Sequence, residues 1–188
     1  MPTHVALLRG INVGGRNKVA MADLREVVSS LGHSDVATYI QSGNALFTTK
    51  ETDTAALAAA LELAITGALG AAPRVVVLSR EELAQAVRDN PYPDEANPKF
   101  VHAIFLSEHP GPGFLQGVAA AQRQAGEKGG RDTAQVVGRI LFLHTPDGYG
   151  HSELALLLAR IGDPEAAGLA ATARNWATVT KLLALCGP

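Results

Sequence analysis

Asp35-Val36-Ala37-Thr38-Tyr39-Ile40-Gln41-Ser42-Gly43-Asn44-Ala45-Leu46-Phe47-Thr48-Thr49 reads as two short β-strands folded back on each other, and that reading decides the fold. Residues 35–41 carry Val36, Tyr39 and Ile40, and residues 45–49 carry Leu46 and Phe47. Ser42-Gly43-Asn44 between them is a glycine-containing loop of hairpin type. Two antiparallel strands in direct succession exclude a chain of repeated parallel βαβ units. Upstream, Val5 to Arg9 is an apolar strand pattern. Leu24, Val27, Val28 and Leu31 then recur at helical spacing until Gly32, which suits a helix end. Downstream, Asp53 can cap a helix whose Leu57, Leu61, Ile65 and Leu69 form one ridge, and Arg74 to Leu78 is a β-branched strand. The order is βαββαβ.

Ser79-Arg80-Glu81-Glu82 has the form of a capping box and opens a short helix with Leu83 and Val87, which Asn90-Pro91-Tyr92-Pro93 ends. Beyond this hinge the pattern repeats. Lys99 to Leu106 is a strand, Phe114 to Gln124 a helix, Gln135–Val137 and Ile140–His144 a hairpin turning at Gly138-Arg139. Ser152 caps a helix bearing Leu154, Leu157, Leu158 and Ile161. The last helix is expected to begin near Thr172 to Asn175 and to bury Trp176, Val179 and Leu183. The fold class expected is α+β: two ferredoxin-like (βαββαβ) subdomains in tandem, residues 1–90 and 91–188, with antiparallel sheets, helices on one face and an extra C-terminal helix.

An apolar fraction of 47% against 18% charged residues allows a substantial core within 188 residues. Net charge is −2, and Lys and Arg divide evenly about Asp94, so neither half is a basic nucleic-acid-binding block. A lone Cys186 argues against disulfides and a structural zinc site and for a reducing, cytoplasmic setting. Met1-Pro2-Thr3-His4 leads straight into a strand pattern without a basic start and apolar run, so no signal peptide is expected. The weakly polar stretch from Ala55 to Ala72 is alanine-rich and broken by Glu62 and Thr66, so no membrane span is expected.

Arg9-Gly10-Ile11-Asn12-Val13-Gly14-Gly15-Arg16-Asn17-Lys18 is the segment that looks built for a ligand. Its glycines permit close backbone approach, and Arg9, Arg16 and Lys18 supply cations with no acid before Asp23. It is not a Walker loop, because Arg16-Asn17 stands where Lys and Ser/Thr are required, and GxGxxG fails as well. What survives is a nest for phosphate or carboxylate, with a tight solvated turn as the competing reading. Gln41, Ser42 and Asn44 offer donors and acceptors, or serve turn chemistry alone. In the expected topology the hairpin and the glycine loop share one edge of the sheet. Arg174-Asn175-Trp176 at a helix start is another possible anion binder, with Asn175 also readable as the cap and Trp176 as core. Gly150-His151-Ser152-Glu153-Leu154 falls short of a nucleophile elbow because Leu154 replaces the second glycine, so Ser152 is read as an N-cap and His151 as a surface residue. No histidine has metal-ligand spacing to a second ligand type, and no catalytic carboxylate pair stands out. No cofactor is indicated.

Three strings together resemble a bacterial family known as domain of unknown function 1697. They are Ala6-Leu7-Leu8-Arg9-Gly10-Ile11-Asn12-Val13-Gly14-Gly15, Thr38-Tyr39-Ile40-Gln41-Ser42-Gly43-Asn44, and Thr172-Ala173-Arg174-Asn175-Trp176 with Thr178-Val179 and Lys181-Leu182. Asn90-Pro91, and Asp147-Gly148 followed by Ser152, agree too, so the resemblance spans about Val5 to Leu183. It implies two ferredoxin-like subdomains and no established activity. Ala20 stands where the family often has proline before the first helix, which should only loosen a helix start. Ala177 stands where an asparagine is common, which puts in doubt any role for that amide.

The expected function is binding of a small anionic or phosphate-bearing ligand. The candidate residues are Arg9, Asn12, Gly14, Gly15, Arg16, Lys18, Gln41, Ser42 and Asn44, together with Arg174 and Asn175 if the packing of the two halves allows. The alternatives are RNA binding, disfavoured by an aromatic content of 5%, and a protein-interaction module. Whether the protein is an enzyme, and its oligomeric state, are left open by the sequence.

Overall fold

The computed structural model describes residues 1–12, 14, 17–161 and 169–187. Gly15 and Arg16, two of the expected ligand-binding residues, lie outside the described residues. By compactness the chain divides into a unit of residues 1–85 with 180–188 and a unit of residues 86–179.

In the first unit β1 (His4–Arg9), α1 (Met21–Ser30), β2 (Ser34–Tyr39), β3 (Asn44–Thr48), α2 (Thr54–Leu69) and β4 (Arg74–Ser79) follow in order. They form a four-stranded sheet of order β2-β3-β1-β4, and every neighbouring pair is antiparallel. Ala6, Leu8, Ala45, Phe47, Val75 and Val77 share a core with Leu24, Val27 and Val28 of α1 and Leu57, Leu61 and Ile65 of α2. Truncating one of these buried Leu or Ile residues to alanine costs about 2–5 kcal/mol. Leu69, expected on the same ridge, is only half-buried. Alternate residues on the other face of the sheet, Val5, Leu7, Leu46, Val76 and Leu78, are also buried, so the central strands are apolar throughout.

Local sequence accounts for the helix starts. Asp53 accepts the amide hydrogens of Ala55 and Ala56, both at 3.0 Å. At the start of α3 (Arg80–Arg88) the Ser79 amide donates to Glu82 Oε2 at 2.8 Å, and the Glu82 amide donates to Ser79 Oγ at 3.1 Å, a reciprocal capping box. By contrast α1 starts at Ala20 with no side-chain cap.

The second unit contains β5 (Val101–Leu106), α4 (Pro112–Glu127), β6 (Thr133–Val137), β7 (Ile140–His144), α5 (Glu153–Leu158) and β8 (Ala171–Asn175). Their sheet has the order β6-β7-β5-β8, again antiparallel throughout. Ala121, Ala125, Leu143, Leu154 and Ala155 form its helix-side core. The last helix, α6 (Trp176–Leu185), begins later than the sequence suggests. Residues 171–175 are a strand on β5, with Arg174 opposite Ala103, and Asn175 ends that strand while capping α6 by accepting the Thr178 amide at 2.9 Å. A strand that runs directly into a cap looks, in sequence, like part of the helix. Within α6, Val179 and Leu182 are buried, whereas Trp176 and Leu183 are half-buried. The chain is thus α+β, with two four-stranded antiparallel sheets and six α-helices among the described residues. No helix of the described residues is long and apolar enough to cross a membrane.

Candidate functional site

β1 ends at Arg9, and the chain enters its bend through Gly10, whose φ of +85° is open to glycine at no cost. Asn12 and Asn17 also sit in the left-handed region, at φ of +54° and +48°, a conformation their short polar side chains tolerate. The bend is held from within. The Asn12 amide N–H donates to Asn17 O at 3.0 Å, and Asn17 Nδ2 donates to Gly10 O at 2.8 Å. Sequence reasoning passed over Asn17, whose signal is its place in a glycine-rich turn that needs positive φ.

Asn12 joins this bend to the hairpin. Its Nδ2 donates to Val19 O and Gln41 O, both at 3.0 Å, while its Oδ1 accepts the Val19 amide at 2.9 Å. The hairpin turn comprises residues 40–43, starting two residues and ending one residue earlier than the sequence suggests, because Ile40 leaves the strand at φ +50° and Asn44 begins β3. Gly43 lies against the bend. It takes φ +77°, its carbonyl accepts the Leu8 amide at 2.8 Å, and a Cβ there would lie 2.8 Å from both Leu8 Cβ and Ile11 Cδ1. Asn44 is fully buried, with Nδ2 donating to Tyr39 O at 3.0 Å and Ser42 Oγ at 3.1 Å.

Asn12 and Asn44, expected to read a ligand's shape, therefore spend these amide groups on building the rim. The structure brings the 9–18 bend and the 41–44 turn together, and leaves Arg9, Gly14, Lys18, Gln41 and Ser42 exposed. Arg74, which sequence reasoning did not single out, also belongs to this rim. It stands directly opposite Arg9 in the β1–β4 register, a non-local relation that no spacing along the chain reveals.

The remaining candidates, Arg174 and Asn175, lie in the second unit. Arg174 is only 8% exposed, and its Nη1 donates to Thr172 Oγ1 and Ala173 O, each at 2.8 Å. Burial pulls its pKa down to about 10. Asn175 is the α6 cap described above. Ser152 Oγ accepts the Ala155 amide at 2.8 Å and donates to Asp132 Oδ2 at 2.7 Å, while Asp147 pairs with Arg131, whose hydrogen bonds hold the Asp147 carboxyl below its usual range. His151 is exposed, so the acid, imidazole and hydroxyl of residues 147–152 do not assemble as a triad. Among the described residues, no group of three or more His, Cys, Asp or Glu side chains is arranged to hold a metal.

Residues 1–142 match the family described as "Protein of unknown function (DUF1697)". The chain belongs to that family. No curated protein matches this member of DUF1697. Among solved structures it is similar to the conserved bacterial protein SP0830 from Streptococcus pneumoniae, at 24% identity and a TM-score of 0.72, with 98% of each chain covered. That likeness concerns the fold alone. An unknown protein from Galdieria sulphuraria aligns at 12% identity and a TM-score of 0.26, covering 92% of this chain and 95% of that one.

Proposed function

We propose that this DUF1697 protein binds a small anionic or phosphate-bearing ligand at the rim formed by the 9–18 bend and the 41–44 turn. The observation that carries the reading is Asn12 bonded to Gln41 O, which fixes an exposed, cation-bearing backbone bend beside an exposed polar turn. Arg9 and Lys18 neutralise charge, the backbone near Gly14 approaches the ligand, and Gln41 and Ser42 contribute hydrogen bonds. Gly15 and Arg16 enter this reading from the sequence alone. Arg174 and Asn175 are best understood as structural. The same reading takes the two halves, 1–90 and 91–188, as tandem ferredoxin-like subdomains of a cytoplasmic protein. The strand orders β2-β3-β1-β4 and β6-β7-β5-β8 support the first part, and the single buried Cys186 supports the second.

The test is a thermal-shift panel of nucleotides, sugar phosphates and carboxylates run on the wild type and on an Arg9→Ala/Lys18→Ala variant. A subset of anions should raise the wild-type melting temperature and leave the variant unmoved, since ligand at 100 times its Kd adds about 2.7 kcal/mol. Identical responses of the two proteins to every compound would remove the site.

A further inference from the structure

We infer that Ile40 is a further ligand-contacting residue of this rim, and that the anion bound there carries an apolar group that packs against it; the inference rests on the anion-binding reading above. Ile40 takes φ +50° at the start of the 40–43 turn. A β-branched residue is poorly suited to that left-handed region, because its Cβ crowds the following carbonyl oxygen. The other non-glycine residues at positive φ, among those described, are Asn12, Asn17 and Asp35, whose short polar side chains tolerate it. In the second unit the β6–β7 turn meets the same need with a glycine, Gly138 at φ +59°.

The strain at Ile40 is imposed from both sides. Its neighbours Tyr39 and Gln41 each have the carbonyl oxygen held at 3.0 Å, the first by Asn44 Nδ2 and the second by Asn12 Nδ2. Such an outlier persists only where its surroundings over-determine it, and such residues gather at ligand contacts. Burial does not offset the strain, since the side chain is 50% exposed. Glycine or asparagine there would keep the turn and remove both the strain and the exposed apolar surface. A bound ligand that covers the side chain accounts for an isoleucine in this position.

The place of Ile40 sets the ligand class. It precedes the exposed Gln41 and Ser42, and Asn12 ties Gln41 to the cation-bearing bend. Charge is met at the bend and apolar surface at the turn. The occupant is therefore amphipathic: an organic phosphate or carboxylate with a hydrocarbon or aromatic substituent, rather than the inorganic ion.

The experiment is calorimetric titration of the full chain with methyl phosphate and phenyl phosphate at about pH 8, where both esters, with second ionisations at about pH 6, are dianions. Wild type should bind phenyl phosphate about ten times more tightly than methyl phosphate, a factor that burial of roughly 50–60 Å² of apolar surface supplies. Ile40→Asn should bind methyl phosphate within about twofold of wild type and lose most of the phenyl preference, while Ile40→Val, which keeps an apolar branched side chain, should retain it. Ile40→Asn should also melt at or above the wild-type temperature, because it relieves left-handed strain. Equal affinity of wild type for the two esters, or an Ile40→Asn variant that keeps the phenyl preference, would overturn the role of Ile40 and leave the rim reading standing. A melting temperature lowered by more than about 4 °C in Ile40→Asn would show that the side chain serves the fold, and would overturn it as a ligand contact. If wild type binds neither ester, this inference and the reading beneath it fall together.

Discussion

Gly43 is where one missing side chain matters most for the rim. Its φ of +77° is costly for any residue with a Cβ, and the space a Cβ needs is taken by Leu8 Cβ and Ile11 Cδ1 at 2.8 Å. Neither neighbour can move cheaply, because Leu8 belongs to the central strand and Ile11 is 3% exposed. Gly43→Ala should therefore destabilise by roughly 2–4 kcal/mol, combining left-handed strain with overpacking. A urea titration measures this, and a loss under about 0.5 kcal/mol would show that the turn is not held against the bend. At Asn12 the residue scale reads differently. The types that make it attractive as a ligand reader, an amide with two donors and an acceptor, are the types that satisfy Val19 and Gln41, and composition does not say which use the chain makes of them.

At the scale of elements, the contrast between helix starts is testable. Asp53 and the Ser79/Glu82 box close the first turns of α2 and α3, whereas Ala20 leaves the amides of α1 without a side-chain acceptor. Ala20 already has the extended backbone of a cap, φ −71° and ψ 139°. Ala20→Asp should then add about 1 kcal/mol, read as a higher melting temperature, and no gain would mean that the start of α1 is satisfied by other means. The caps and the strands β1 to β7 were legible in sequence because each is local: a short apolar or β-branched run bounded by turn residues, or a capping side chain within three residues of its partner amide. β8 was not, because Thr172-Ala173-Arg174-Asn175 is short and polar and its strand identity comes from pairing with β5. The meeting of bend and turn followed from topology alone. Arg74 did not, since a register between strands 65 residues apart is fixed only by the folded sheet.

For the whole molecule, protonation links both units. His4 and His33 in the first and His102 in the second are each held below their ordinary 6.5, in every case chiefly by burial. The geometry agrees for His102, whose Nδ1 is enclosed with no hydrogen-bond partner among the described residues while its ring lies 4.5 Å from that of Tyr149. The folded state therefore resists protons that the unfolded chain accepts from about pH 6.5 downward. Stability is complete above that value and falls as pH drops through 6.5 toward the depressed folded values. Glu95, held low by the Asn97 amide and His144, Asp147 by Arg131 and Glu153 by Lys128, lose their contributions later, below their ordinary 4.5, 3.8 and 4.5. Acid unfolding should accordingly show an early, histidine-driven decline before the carboxylates titrate. Urea midpoints measured at about pH 8, 6.5 and 5.5 should fall in that order, and His102→Gln should flatten the decline by removing one of the three groups. A midpoint constant from about pH 8 to 5.5 would contradict the lowering of these three histidines by the fold.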